Sequence, residues 1–338
     1  MLSAICISCH PLIYFFTFLY YTDVGSLFFA MVSLTIHVYH YHLWSAMFSI
    51  IALTFRQTNI IIVAYEIGLT IIEEFRLKNK QSHILHVYTS RSSDTTDIKE
   101  YITVLWKYSR LEIKFILNLI QSIIWKCRYH LCVIILFLIF FIKNNYSMTL
   151  GHQEHHQIVL HYINDSYVLN LTKINLLRLL RFIRSHSIIC ILLLLLINAS
   201  IKYFTYEHLF LISDNRHYTF YIWSRLFKRY TLFRYLLTPI YSICIILLYF
   251  QIYDRSLLNI LLLLISIILL TIFQKLLEFR YFILPFIILR LSINDKKTWG
   301  LVFEFIQAII INIITLYVFC HRTFFWSTHP NIIQRFMY

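Results

Sequence analysis

The 338 residues are 59% hydrophobic and 18% aromatic, and only 14% are charged, well below the roughly 25% of ordinary soluble domains. Such a chain cannot cover its apolar surface in water, so a soluble fold is excluded and lipid is the solvent for most of it. The net charge of +14 would point to nucleic acid in a soluble protein, but here the basic residues fall between apolar segments, where they report membrane orientation, and no nucleic-acid partner is expected.

Taken in chain order, Met1 to His10 has neither a basic n-region nor a small-residue cleavage pattern, so no cleaved signal peptide is expected. Cys6-x-x-Cys9-His10 lacks a second half-site, and the seven cysteines read as packing thiols. Apolar windows predict spans near 5–19, 26–39, 43–55, 58–75, 129–143, 157–171, 186–204, 234–251, 256–274, 281–292 and 299–320. The expected fold is all-α: one multi-span membrane domain over residues 1–338 with about 9–11 transmembrane helices. The polar stretch 76–128 carries ten of the 30 Lys and Arg residues, which places it in the cytosol. Within it, Leu111, Phe115, Leu119 and Ile123 recur every fourth residue and predict an interfacial amphipathic helix over 111–125. Alternation then puts 173–184 on the cytosolic side, and 20–25, 55–59, 144–156, 205–233 and 275–280 on the opposite side.

Four polar stretches could carry chemistry. Asp214 to Tyr221 gathers Asn215, Arg216, His217, Tyr218 and further aromatic residues at a membrane boundary, where such groups are costly unless used. Arg216 and His217 suit a phosphate diester, and Asp214, Asn215 and Tyr218 suit sugar hydroxyls. An interfacial aromatic belt with a snorkelling arginine has the same composition. Lys275, Glu278 and Arg280 close a long apolar run, where the two cations could clamp a lipid-linked phosphate. Arg56, Gln57 and Asn59 interrupt two apolar segments on the same side. In Gly151 to His156, His152 and His156 have the i, i+4 spacing of zinc ligands, but no third ligand is evident, and neither metal nor cofactor is expected.

Five stretches, Phe18 to Ser26, Phe55 to Ile60, Asp214 to Tyr221, Gln274 to Pro285 and Gln334 to Met337, together resemble one family in order along the chain. It is the dolichyl-phosphate-glucose-dependent alpha-1,2-glucosyltransferase family of asparagine-linked glycosylation in the endoplasmic reticulum. The resemblance implies a C-type glycosyltransferase-like multi-pass enzyme of that membrane. Its donor would be dolichyl phosphate glucose and its acceptor a dolichol-linked oligosaccharide that already carries two glucoses. Both would be held at the lumenal face among membrane lipids, the side on which charge places the motifs.

The family's further N-terminal portion, with an acidic lumenal loop, has no counterpart here, so the resemblance implies a shortened member without its usual base. An inverting transfer needs a carboxylate to take the acceptor proton, and Asp23 and Asp214 are the candidates left. A phosphate leaving group needs cations instead, for which Arg216, His217, Lys275 and Arg280 are available. Tyr21, Arg56, Gln57, Asn59, His156, Asn215, Tyr218 and Glu278 are the expected substrate contacts. The alternative from composition alone is a multi-span chemoreceptor or channel, which polar residues inside spans would favour; Asn198, Asn259, Gln307 and Asn312 are the candidates.

Overall fold

A computed structural model describes residues 2–18, 22–81, 113–144, 173–204, 216, 220–221, 223–252, 255–272, 282–293, 298–326 and 329–336. The described chain is almost wholly helical: α1 (Leu2–Ser8), α2 (Pro11–Phe18), α3 (Thr22–Val38), α4 (His42–Phe55), α5 (Ile60–Gln81), α6 (Ile113–Lys143), α7 (Lys173–Ser185), α8 (Ser187–Phe204), α9 (Thr231–Leu236), α10 (Thr238–Ile252), α11 (Leu257–Ile272), α12 (Ile283–Ser292) and α13 (Thr298–His321). A two-stranded antiparallel hairpin follows, β1 (Thr323–Trp326) paired with β2 (His329–Arg335), with Thr323 opposite Arg335 and a register shift at Phe325/Trp326. The helices gather into two compact units, one of Met1–Val24, His152–Ile252 and Leu270–Tyr338, the other of Gly25–Gly151 and Tyr253–Leu269.

Three described helical stretches are long and apolar enough to cross a membrane: Leu117–Lys143, Thr231–Ile252 and Thr298–His321. The pair Leu177–Ser185 and Ser187–Tyr203, bent by 93°, makes a fourth if it is one broken span. Thr22–Val38, His42–Phe55, Leu257–Leu270 and Ile283–Ser292 are shorter apolar helices. Outward-facing residues such as Ile188, Leu196, Leu232 and Ile313 are more than half exposed, a surface that only lipid tolerates. The chain is a polytopic membrane protein.

In the unit that opens the chain, the expected span 5–19 is broken. Pro11 takes the first position of α2, where its missing N–H costs nothing. The break leaves the Cys9 carbonyl without a helical partner, and Asn312 of α13 donates to it at 2.9 Å. Cys6 Sγ donates to the Leu301 carbonyl at 3.2 Å, and Phe15 meets Phe319 edge-on at 5.6 Å, so both short helices lie along α13. Arg290 of α12 is 3% exposed and donates from Nε and Nη2 to the two carboxylate oxygens of Glu304 on α13, at 3.2 and 3.3 Å. Thr238 donates to Asn198 Oδ1 at 3.0 Å, tying α10 to α8.

In the other unit, Ala46, Val63 and Val133 form the apolar centre where α4, α5 and α6 meet, with Leu53, Ile60, Tyr129 and Ile134 around it. Small residues allow the close approach that bilayer packing favours. Ser33, Ser45 and Ser49 bring α3 and α4 together through hydroxyl contacts of 2.7 to 3.2 Å. Gly68 of α5 leaves the notch that the Leu262 side chain of α11 fills, since a Cβ there would stand 3.2 Å from Leu262 Cγ.

The structure departs from the sequence expectations in three places. The amphipathic stripe of 111–125 is no separate helix: from Ile113 it runs unbroken into the apolar segment, up to Lys143. Residues 173–184, placed between spans on the cytosolic side, form most of α7, whose arginines Arg178, Arg181 and Arg184 recur every third residue along the helix. The C-terminal hairpin adds a small β element to a fold expected to be wholly helical.

Candidate functional site

Two of the family-like stretches meet at the α3, α4 and α5 ends. α4 stops at Phe55 because Arg56 is extended (φ −154°, ψ 118°), and Gln57–Asn59 make one tight turn before α5 begins. Asn59 is 1% exposed; its amide donates to Ser26 Oγ and to the Ala52 carbonyl, both at 2.7 Å. Gly25 permits the Phe55 ring to approach, since a Cβ there would lie 3.0 Å from Phe55 Cε1. Asn59 therefore spends both donors on fixing the junction, and among the described residues its Oδ1 has no hydrogen-bond partner. Arg56 and Gln57 are half-buried beside it. Asp23 is buried in the first turn of α3, where the helix N-terminus favours a carboxylate.

Two further stretches meet in the first unit. Tyr221, the end of the Asp214 to Tyr221 motif, packs against Phe336 of the C-terminal motif at 5.6 Å, and Phe336 against Phe324 of β1 at 4.9 Å. Arg335 secures the hairpin by donating to the Phe319 and Cys320 carbonyls at 3.0 and 3.2 Å, the exposed C-terminal end of α13. Beside this contact, residues Trp223–Phe227 form a π-turn in which Trp223 and Phe227 stack at 5.8 Å. Arg234 lies 4.8 Å over the Trp223 ring while its Nε donates to the Phe227 carbonyl at 3.1 Å. Arg225 lies 5.4 Å over Tyr221, and Arg225, Lys228 and Arg229 are exposed. This face sets cations on aromatic ledges, a surface suited to phosphate headgroups.

Of the remaining expected site residues, Arg216 is half-buried in a turn. Tyr21, His156, Asp214, Asn215, His217, Tyr218, Lys275, Glu278 and Arg280 lie outside the described residues, as does the His152 to His156 cluster. Of the four polar residues that a channel would use, Asn198 bonds to Thr238 of α10 and Asn312 to the Cys9 carbonyl. Sequence reading missed the buried pair Arg290 and Glu304, and a group of histidines around Glu66. The available signal was an ionisable residue inside an apolar run, as with Glu66 among Ile60 to Ile72 and Arg290 among Ile283 to Leu291.

A sequence model of the DIE2/ALG10 family matches residues 1–291. A human protein, Dol-P-Glc:Glc(2)Man(9)GlcNAc(2)-PP-Dol alpha-1,2-glucosyltransferase, is 31% identical over 354 residues, covering 100% of this chain and 72% of its own length. The Drosophila melanogaster protein of that name is 31% identical, covering 97% of this chain and 73% of its own length. The Arabidopsis thaliana one is 28% identical, covering 99% and 75%. No solved structure matches.

Proposed function

This chain belongs to the DIE2/ALG10 family, and we propose that it transfers glucose from dolichyl phosphate glucose to a dolichol-linked oligosaccharide already carrying two glucoses, forming the terminal alpha-1,2 linkage. The observation that carries this reading is the human relative of that name, 31% identical across the whole chain. The membrane fold agrees with it, because both substrates are lipid-anchored and react at the edge of a bilayer. Two of the neutral polar residues of the spans, Asn198 and Asn312, are committed to hydrogen bonds within the fold, which argues against their lining a permeation path.

The reaction is a displacement at the anomeric carbon. A terminal sugar hydroxyl of the acceptor attacks; the new carbon–oxygen bond forms as the bond to the phosphate oxygen breaks. The electron pair leaves with dolichyl phosphate, and the hydroxyl proton passes to a carboxylate. We assign the departing phosphate to Arg216, His217, Lys275 and Arg280, since cations placed where charge develops lower the barrier directly. Asp23 and Asp214 are the carboxylates beside the motifs that could accept the proton. Tyr21, Arg56, Gln57, His156, Asn215, Tyr218 and Glu278 are assigned to sugar contacts, and Asn59, whose amide is used internally, to the shape of the Arg56–Gln57 turn. The Lys and Arg bias assigns these stretches to the lumenal side of the endoplasmic reticulum membrane.

Expression in a eukaryotic cell that lacks the third glucosyl transfer tests the reading. The lipid-linked oligosaccharide should shift from the two-glucose to the three-glucose form, measured by chromatography of the released glycans. An unchanged two-glucose profile, with the chain present in the membrane, would count against it.

A further inference from the structure

Three histidines, none of them assigned to the proposed transfer, converge in the second unit. His37 ends α3, His42 begins α4 and His130 lies within α6. One ring nitrogen from each lies within 4.8 Å of the others. The ring centroids stand 5.0 Å apart for His37–His42 and His37–His130, and 6.1 Å for His42–His130. His130 is 0% and His37 5% exposed. Yet the Nδ1 atoms of all three are buried without a hydrogen-bond partner, and an unmet buried polar atom is costly, the more so in a membrane protein.

The other nitrogens explain what these Nδ1 atoms are. Glu66, 0% exposed, stands 3.2 Å from His130 Nε2 and also accepts from Ser33 at 2.6 Å and Ser49 at 3.2 Å. A carboxylate there can only accept, so it calls for the proton of His130 on Nε2, and in the neutral ring Nδ1 is then the lone pair. Thr70 spends its hydroxyl proton on the Glu66 carbonyl at 3.1 Å, so it accepts from His37 Nε2, also at 3.1 Å, with the same result. Two buried imidazoles of one cluster thus carry Nδ1 atoms with no hydrogen-bond donor to receive them among the described residues. Their outer partners, a carboxylate and a hydroxyl, are those that orient metal-bound histidines.

We propose that His37, His42 and His130 bind a zinc-class divalent metal ion through their Nδ1 atoms, with water in the fourth position. Zinc–imidazole bonds of about 2.0–2.1 Å in a tetrahedron put the nitrogens roughly 3.3 Å apart. One ring nitrogen from each histidine already lies within 4.8 Å of the others, and side-chain rotation, chiefly of half-buried His42, closes the set. The Glu66 carboxylate offsets part of the ion's charge, and the nearby Lys126 is already neutralised by Glu74. Exposed His40, at a left-handed turn position (φ 65°), faces Glu73 at 3.6 Å and stays outside the set. The ion joins α3, α4 and α6 around α5, at the end of the unit opposite the Asn59–Ser26 junction. It is a structural clip, and it does not depend on the glucosyl-transfer reading.

The test uses the full chain purified in detergent without a histidine tag, with zinc and cobalt as probes. Element analysis should find about one zinc per chain. Cobalt exchanged into the protein should show the intense visible bands of a tetrahedral nitrogen site. His42→Ala, which removes a half-buried side chain from a helix start, should fold and lose the ion and those bands, while His42→Cys should keep both. Glu66→Gln should weaken zinc binding about 10–100-fold, as loss of an outer-shell carboxylate does. Chelation should lower the melting temperature of the wild type and leave that of His42→Ala unchanged. Equal zinc content in wild type and His42→Ala would overturn the proposal. So would loss of the ion from His152→Ala/His156→Ala with retention in His42→Ala.

Discussion

Arg290→Met alone is expected to destabilise the chain by about 3–5 kcal/mol, because it takes away the guanidinium that meets both carboxylate oxygens of Glu304. Arg290 is 3% exposed, and both of its carboxylate contacts fall between 3.2 and 3.3 Å, so the pair is a fork-on-fork contact with little water to screen it. An isolated charge in a membrane helix is costly. The double variant Arg290→Met/Glu304→Met removes both charges at similar volume and should regain most of the loss. The measurement is thermal unfolding of the four proteins of this cycle in one detergent. If the two single losses simply add in the double variant, the groups do not act as a pair.

Arg280→Gln is expected to lower the turnover of glucose transfer by roughly a hundredfold, or about 3 kcal/mol, the usual cost of removing one preorganised donor from developing negative charge. Arg280→Lys should recover only part of it. A guanidinium grips two phosphate oxygens in a fixed plane, whereas an ammonium offers one movable point charge. The loss should fall on kcat, and the melting temperature should stay near that of the wild type. Binding to lipid headgroups alone would cost far less. Retention of more than about half the wild-type rate would remove Arg280 from the donor-phosphate assignment.

Much of the helical framework was legible because lipid demands long apolar runs, and those of α8, α11 and α13 begin and end within a few residues of where hydropathy put them. Short-range polarity misled at α6. Trp125, Lys126 and Arg128 read as the edge of a loop, but the Arg128 guanidinium folds back over the Trp125 and Tyr129 rings at 4.1 and 4.4 Å and donates to the Trp125 carbonyl. The charge is satisfied within its own helix, so the helix continues. The 93° bend at His186 had no proline or glycine to announce it.

The candidate site was legible as motifs, because unusual polar clusters at span ends stand out in an apolar chain. What they do locally was not. Asn59 looked like a sugar contact, and its amide turns out to hold Ser26 and Ala52. The histidine site was invisible for a different reason. His37 and His42 straddle a turn between two spans, His130 comes from a distant helix, and the tautomers depend on Glu66 and Thr70 of yet another. No local spacing encodes such a set.

The most direct test of the central claim is transfer by the purified chain in liposomes, given dolichyl phosphate glucose and the diglucosylated dolichol-linked acceptor. The expected result is addition of a single glucose in alpha-1,2 linkage, with none added from a nucleotide-linked glucose offered instead. Folded, membrane-inserted protein that adds no glucose from the dolichol donor, or adds it equally well from the nucleotide donor, would contradict the account.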